Sequence, residues 1–452
     1  MYGENRIQEL LRAALAASPA DQTEAVIQAE DSHLTRFANS AIHQNVAERN
    51  ASLEVRAVFG RRVGSARTNV LDPPEIRRTV RLACEAARVQ PENPKFHSLP
   101  QPSAPPRAIA GLCVPATAAF TARQRAEAVK VICGLAARHG AEAYGALSTG
   151  TAEYGVANSL GVACYAQASD ADINTIVMTG TGSGYAQAAA RDVRDIDFRR
   201  LAGRAVRKAV DSQHPVELGP GRYDVVLEHP AVDELLGFVS GGFSALAVQE
   251  QRSFLCGKIG KRVFSPAVTI SDDAYDRRGF AFPFDLEGVP KQRVPLVVGG
   301  IARGVVHNSY TANIEQTRST GHGLPEYGNS PAADNVVMSG GDSSLAAMIG
   351  STGRGIYVTR FNYCNIIDQM SAEVTGMTRD GTFLIEGGRI TKPVRNLRFT
   401  ESVVRALSRV AAVSREVRLV TAGGGYGRRF AIGSLVPALK IRDFNFTGVT
   451  EF

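Results

Sequence analysis

The histidines are the first residues to consider for metal chemistry. No two of the eight stand three or four residues apart, so no single helix can direct two imidazoles at one zinc ion. His229 follows Glu228, but Pro230 comes next and no second histidine completes a zinc-binding helix. A site assembled from distant histidines, such as His307 with His322, stays open. The eight are His33, His43, His97, His139, His214, His229, His307 and His322.

Nucleophilic catalysis has no recognisable motif in this sequence. A Gly-x-Ser-x-Gly elbow is absent, and its nearest approach is Ser240, which has Gly242 after it but Phe238 where a glycine should stand. Cys256 and Cys364 are single cysteines whose histidine partners cannot be chosen from sequence. We interpret both as structural thiols, because lone cysteines behave mostly as small buried hydrophobic residues.

Two glycine-rich segments could be mistaken for phosphate loops. The first, GTGSGYAQAAARD at residues 180–192, has Gly184 only two positions after Gly182, whereas a dinucleotide fingerprint needs three. A Gly/Ser turn is the better interpretation. The second, TAGGGYGRRF at residues 421–430, stands between apolar segments typical of strands, where glycines let backbones approach or turn sharply.

Composition and charge limit the classes of protein to consider. Of 452 residues, 44% are hydrophobic and 21% charged, which is typical of a globular protein with a packed core. The net charge of +7 is small for this length, and no run of five basic residues occurs. Without a recognition motif, we do not expect nucleic-acid binding.

Cysteine usage and the N-terminus point to a cytoplasmic location. The six cysteines are far apart and form no Cys-x-x-Cys pair, which is typical of a reducing compartment. The first eighteen residues contain Glu4, Arg6, Glu9 and Arg12 and offer no apolar signal region, and no stretch of eighteen apolar residues follows. The cysteines are Cys84, Cys113, Cys133, Cys164, Cys256 and Cys364.

The pattern of elements predicts an α+β fold, with an N-terminal α/β region of antiparallel strands and helices followed by a β-rich C-terminal domain. Residues 36–69 alternate like a β-meander, and Asp72 and Thr121 are predicted helix N-caps. Residues 230–250 are predicted as one helix, with shorter helices at 343–349 and 402–411, and Gly387-Gly388 as a hairpin turn.

Two proline-containing segments divide the chain into three predicted domains. Residues 89–106 carry prolines that neither a helix interior nor a central strand tolerates, and residues 214–222 mark a second boundary. The prediction is an N-terminal α/β domain at 1–105, a central α/β domain at 106–218 and a β-rich C-terminal domain at 219–452.

Several segments together resemble the TldD/PmbA family, also called modulators of DNA gyrase. RFANSAIHQNVAERN with VGSARTN resembles the family's N-terminal signature, and GPGRYDVVLEHPAVDELLGFV resembles the opening of its C-terminal domain. FLCGKIGKRV resembles its Gly-Lys-Ile-Gly turn, STGHGLP its central loop, and TGMTRDGTFLIEGGRITKPVRNLRFTES its C-terminal hairpin region. The segments occur in the expected order over most of the chain.

The sequence departs from the family's catalytic members at their zinc site. The resemblance implies two ligands from a His-Glu-x-x-x-His helix shortly before the Gly-Lys-Ile-Gly turn, and a cysteine from a glycine-rich C-terminal loop. We take residues 237–251, GFVSGGFSALAVQEQ, as the corresponding helix; it has no histidine, and residues 421–430 have no cysteine. The polar groups that it offers near the position are only Gln249, Glu250 and Ser240 or Ser244. No catalytic, metal-binding or cofactor-binding residue is therefore predicted.

This departure resembles the PmbA (TldE) branch, whose members form the metal-free half of a heterodimeric zinc peptidase. The resemblance implies a TldD-like catalytic partner that carries the zinc, and an extended peptide substrate, with a homodimer of the free chain left open. Two alternatives remain. One is a self-sufficient hydrolase that uses Cys256, Cys364 or an unrecognised metal site, and the other is an interaction protein acting on gyrase or a toxin system.

Overall fold

The computed structural model describes residues 1–324, 330–421 and 429–450. The N-terminal part contains five helices and six strands in these residues. The helices are α1 (Glu4–Ala16), α2 (Pro73–Val89), α3 (Pro115–Ala118), α4 (Ala122–Ala137) and α5 (Phe198–Asp211). The strands are β1 (Gln22–Ala38), β2 (Ala41–Phe59), β3 (Arg62–Thr68), β4 (Glu142–Asn158), β5 (Ala163–Thr179) and β6 (Gly182–Ala190).

Local signals place several of these helices. Ile7, Leu10 and Leu11 form the buried stripe of α1, as the helical spacing predicts. Asp72 accepts a hydrogen bond from the amide of Glu75 at the start of α2. Thr121 and Gln124 form the reciprocal capping box at the start of α4. These N-cap predictions are confirmed.

The six N-terminal strands form one antiparallel sheet in the order β3-β2-β1-β4-β5-β6. Alternate side chains cover its two faces. Ile27, Leu53 and Leu147 belong to the face packed against helices, whereas Tyr154 and Val156 belong to the face packed against the C-terminal part. Strand β1 begins at Gln22, fourteen residues before the predicted meander, so the prediction missed most of this strand.

The sheet continues across the predicted boundary at residue 105, since β1 pairs with β4 along most of its length. Phe96 and Leu99, within the predicted linker, are buried with Val58, and the Leu99 amide donates to the Gln22 side chain at 2.8 Å. The linker is irregular but anchored on the sheet. The three-domain division stays a prediction.

The C-terminal part is rich in strands, as predicted. Its helices are α6 (His229–Ser240), α7 (Ala245–Gln249), α8 (Ser309–Ile314), α9 (Leu345–Gly350) and α10 (Val403–Ser408). Its strands are β7 (Gly221–Leu227), β8 (Ile270–Asp272), β9 (Val294–Val298), β10 (Ile301–Ala302), β11 (Val336–Met338), β12 (Arg354–Asp368), β13 (Glu373–Glu386), β14 (Arg389–Pro393), β15 (Leu397–Ser402), β16 (Val410–Val420) and β17 (Ser434–Val449).

Five C-terminal strands close into a ring. The pairings run β7-β12-β13-β15-β17 and return from β17 to β7, while β8 to β11, β14 and β16 extend the sheet outside the ring. The Gly387-Gly388 hairpin joins β13 to β14 as predicted. The α+β fold class is confirmed. No helix in the described ranges is long and apolar enough to cross a membrane.

Candidate functional site beside helix α6

The segment predicted as one helix at residues 230–250 is two helices. Helix α6 ends at Ser240, a 3₁₀ turn spans Gly241–Phe243, and α7 follows. A Cβ atom at Gly242 would lie 2.4 Å from the ring of Phe254, so the chain must turn here with a residue that lacks a side chain. The prediction of a continuous helix was wrong for this reason.

The serines of residues 237–251 hydrogen-bond within the fold. The Ser240 hydroxyl donates to the carbonyl of Leu236 at 2.8 Å. The hydroxyls of Ser244 and Ser330 are 3.1 Å apart. Neither group resembles the imidazole, thiolate or carboxylate donors that bind zinc in proteins.

The remaining polar groups of this segment are also engaged locally. The Gln249 amide donates to the carbonyl of Thr311 at 3.0 Å. Glu250 is about half exposed and pairs with neighbouring Arg252. A single surface carboxylate cannot hold a zinc ion, so the donors present in residues 237–251 do not fit a zinc site.

A pocket of about 330 Å³ lies beside α6, where both halves of the molecule meet. Strand β6 contributes Tyr185, α6 contributes Asp233 and Glu234, β12 contributes Arg360, and Thr421 follows β16. The pocket thus joins α6 to the chain just before the second glycine-rich segment. Residues 422–428 of that segment lie outside the described residues, so its predicted role as a structural glycine turn stays a prediction.

The two carboxyl groups of this pocket are partly buried. Burial raises the pKa of Asp233 to about 7, although a hydrogen bond from Ser434 opposes the shift. Burial also raises the pKa of Glu234, with an opposing hydrogen bond from the Cys364 thiol. Both carboxyl groups are therefore easier to protonate than in water.

The Cys364 thiol is held in its protonated form. Burial and then the adjacent Glu234 carboxylate raise the pKa of this thiol well above its usual range. The thiolate is the nucleophilic form of cysteine, so Cys364 is a poor nucleophile. Cys256 is half-buried and approaches the carbonyl of Val248 at 3.7 Å, and no histidine hydrogen-bonds to either thiol within the described residues.

Arg360, the arginine that lines this pocket, already contacts neighbouring groups. Arg360 Nε donates to Asp380 Oδ2 at 2.6 Å, and its guanidinium carbon lies 4.3 Å from the centre of the Tyr185 ring. The ion pair and the ring contact fix the guanidinium against β6 and β13. Arg360 thus serves to join the two sheets.

The chain on either side of residues 422–428 is attached to the N-terminal sheet. Thr421 donates a hydrogen bond to Asp172, whose pKa burial raises to about 6. Arg429 pairs with Asp170, with Nη2 and Oδ2 2.6 Å apart, and donates to Ser148 Oγ at 3.0 Å. These bonds fix both flanks of the second glycine-rich segment on β4 and β5.

The first glycine-rich segment is a structural turn, as predicted. Gly180 has φ of 53° and connects β5 to β6. Cβ atoms at Gly182 and Gly184 would each lie 2.1 Å from a carbonyl oxygen of α5, at Ala209 and Ala205 respectively. The glycines permit close packing of the helix on the sheet, which accounts for them without a phosphate ligand.

The two distant histidines do not form a shared metal site in the described residues. His307 Nε2 is 3.7 Å from Glu315, whereas His322 Nε2 is 3.0 Å from Asp272. Thr320 connects them, because its hydroxyl accepts from the His307 amide at 2.7 Å and lies 2.9 Å from His322 Nδ1.

His322 instead belongs to a group that sequence reasoning missed. Asp272, His322 and Asp334 converge, with one donor atom from each within 4.8 Å of the others, and all three are buried. The Lys291 ammonium pairs with Asp334 and lies 3.1 Å from Asn335 Oδ1. Because Lys291 already supplies the positive charge, we interpret this cluster as a buried ionic network that fixes the loop before residue 325. No spacing in the sequence could reveal it, since its members come from separate segments.

Two sheets covered by helices, with a pocket between them, define a two-part α+β protein. Two family models match it: the PmbA/TldA metallopeptidase C-terminal domain at residues 220–448, just over half the chain, and the PmbA/TldA metallopeptidase domain 1 at residues 23–87. The chain belongs to the TldD/PmbA family, as the sequence resemblance predicted.

Curated relatives match part of the chain. The metalloprotease TldD homolog of Haemophilus influenzae is 33% identical over 242 residues, covering 52% of this chain and 48% of the relative. The metalloprotease PmbA of Escherichia coli O157:H7 is 24% identical over 237 residues, covering 52% and 50%. The chain thus spans about half the length of the curated relatives it matches.

Solved structures match the whole fold. TldE from Thermococcus kodakarensis has a TM-score of 0.85 at 20% identity, covering 98% of this chain and 100% of that one. A Thermotoga maritima protein described as a candidate modulator of a DNA gyrase has a TM-score of 0.86 at 19% identity, covering 97% and 100%. At these identities the likeness shows the fold alone.

Proposed function

We propose that this chain is the non-catalytic, TldE-like subunit of a heterodimeric TldD/TldE zinc peptidase, and that it shapes the chamber in which unfolded or short peptides are cleaved. One observation carries the proposal. In residues 237–251, which correspond by resemblance to the catalytic helix, the serines and Gln249 hydrogen-bond within the fold and none is a zinc donor.

The chemistry of the neighbouring pocket supports the same proposal. A peptidase needs an activated water or a strong nucleophile to lower the barrier to amide hydrolysis. The pocket offers carboxyl groups that burial favours in the neutral form, and the nearby Cys364 thiol, next to Glu234, has a raised pKa. These groups can shape a cavity, but they provide no activated nucleophile.

The proposed partner is a TldD-like chain that supplies the zinc, and the proposed location is the cytoplasm. All six cysteines are free, which agrees with a reducing compartment. The substrate class follows from the metallopeptidase family, and an extended peptide can bind a sheet edge through its main chain with little demand on sequence.

The test combines metal analysis with reconstitution. The purified chain should contain no stoichiometric zinc after chelator washing and should not cleave an unfolded peptide. Mixed with a TldD-like partner, it should co-elute on a sizing column and greatly raise turnover. A partner variant without its zinc-binding histidines is the matched control, and it should co-elute but stay inactive. Zinc retained by this chain, or peptide cleavage by this chain alone, would overturn the proposal.

A further inference from the structure

A second cavity is lined by residues of α5, the start of α6, β13, β14 and β16. Its volume is about 610 Å³, within the range of small-molecule sites. Its lining divides by chemistry. Arg204, Arg207 and Arg418 are basic, whereas Leu345, Phe383 and Ile390 are apolar.

Some charges in this cavity are neutralised within the protein. Lys208 Nζ is 2.5 Å from Glu228 Oε2, and Glu228 also accepts a hydrogen bond from the Tyr357 hydroxyl. Arg418 pairs with Glu416 at the rim through Nε alone, 2.8 Å from Oε1, so its two terminal nitrogens have no hydrogen-bond partner among the described residues. Neither contact involves Arg204 or Arg207.

Arg204 is partly buried and forms no direct ion pair within the described residues. Its Nη2 donates to the carbonyl of Gln187 at 3.3 Å, but its buried Nε finds no hydrogen-bond partner among the described residues. Burial, and then the like charge of Arg418, lower the pKa of Arg204. A guanidinium remains charged in proteins, so the unpaired donor carries a free-energy cost that an anion would relieve.

The imidazole of His229 is a second group of this cavity with an unsatisfied polar atom. Its Nδ1 is buried without a partner in the described part of the chain, while Nε2 lies 3.4 Å from the carbonyl of Glu416. Burial, and then Arg418, lower the pKa of His229 to about 4. The ring is therefore neutral near pH 7, and because the Glu416 carbonyl can only accept, Nε2 carries the proton and Nδ1 is an acceptor for a donor group of a ligand.

We propose that this cavity binds a small organic anion, with its oxyanion head between Arg204 and Arg418 and its apolar body against Leu345, Phe383 and Ile390. Arginine suits this role because its planar fork binds carboxylate or phosphate through paired hydrogen bonds. The site is separate from the pocket beside α6 and does not depend on the proposed peptidase role.

Calorimetric titration of the full chain tests the proposal and distinguishes the two sources of the oxyanion. The carboxylate probe is N-acetyl-leucyl-leucine, and its matched control is the corresponding C-terminal carboxamide. The phosphate probe is phenyl phosphate, with phenol as its control. We expect at least one anion to bind, and its neutral control to bind at least tenfold more weakly.

Variants then locate the binding site. Arg204→Gln should weaken binding by about tenfold or more, because it removes a charged hydrogen-bond donor. Arg199→Gln changes an exposed arginine on the same helix and should bind as the parent protein does. If Arg204→Gln fails to fold, Arg418→Gln should show the same loss. Binding of neither anion, equal binding of anion and neutral control, or unchanged binding by the folded pocket variant would overturn the proposal.

Discussion

Replacing Lys291 by methionine tests whether the cluster around His322 is an ionic network or a metal site. Lys291 is 3% exposed, Asp334 is 7% exposed and Asp272 is fully buried. The methionine keeps much of the side-chain length but removes the only ammonium in contact with Asp334 in the described residues. Two buried carboxylates would then share the imidazole of His322 alone.

The expected loss in stability is large. Removing one partner of a buried ion pair leaves an uncompensated charge and costs about 3–5 kcal/mol. Asp334→Asn combined with Lys291→Met removes both charges, so the double variant should recover part of that loss. Lys261→Met is the matched control, because Lys261 is exposed, and it should change stability by less than about 0.5 kcal/mol.

The pH dependence gives a second, independent readout. Burial raises the pKa of Asp272, but His322 and Lys291 outweigh burial and the folded-state pKa is lowered. The stability from Asp272 is therefore present above its unfolded pKa and is lost as pH falls through the folded pKa. Because Lys291→Met removes part of the lowering, the variant should begin to unfold in acid at a higher pH than the parent protein.

Unfolding in guanidinium chloride, followed by circular dichroism at several pH values, measures both the loss of stability and its pH dependence. The reasoning is refuted if Lys291→Met is no less stable than Lys261→Met. It is also refuted if a chelator destabilises the parent protein and zinc restores it, because a metal would then supply the charge assigned to Lys291.

Three further outcomes follow from the contacts around the sheets. Gly184→Ala should destabilise the protein by about 1–3 kcal/mol, because the new Cβ would clash with α5. Gly203→Ala, in the middle of α5 where a Cβ has room, should stabilise it by about 0.5–1 kcal/mol. Chemical denaturation measures both changes, which should be opposite in sign. Asp233 has a raised pKa in the folded state, so its stabilising contribution is present below the unfolded pKa and is lost as pH rises through about 7. Between about pH 4 and pH 8, the melting temperature of Asp233→Asn should therefore fall less than that of the parent protein. Cys256→Ala and Cys364→Ala should each leave partner-stimulated peptide turnover within a few-fold of the parent, and loss of cleavage by an assembled complex would favour the hydrolase alternative.

Features set by neighbouring residues could be predicted from the sequence. The capping box of Thr121 with Gln124 and the Gly387-Gly388 hairpin depend on a few adjacent residues. The break between α6 and α7 also had a local signal in Gly241-Gly242, but the apolar pattern across it favoured one helix. Packing of Phe254 against Gly242 decided the outcome.

Features set by distant residues could not be predicted. The ring closes because β7 pairs with β17, with Val225 opposite Ile441, and no local pattern encodes that register. The basic cavity brings Arg204 of α5 beside Arg418 of β16 for the same reason. The candidate pocket could be anticipated only in part, because resemblance indicated the two segments but not the residues of β6 and β12 that complete it.

Helix α6 shows how a helix can keep its position while its polar residues vary. Its apolar residues Ala231, Val232, Leu235, Leu236 and Val239 are all nearly fully buried in the C-terminal core. That burial stabilises the helix whether or not a metal is bound, at roughly 25 cal/mol per Å² of apolar surface removed from water. The polar positions between these residues face the two pockets and contribute little to that core. They can therefore change their chemistry while the helix keeps its place, which is the condition that the proposed metal-free subunit would have to meet to fit its proposed catalytic partner.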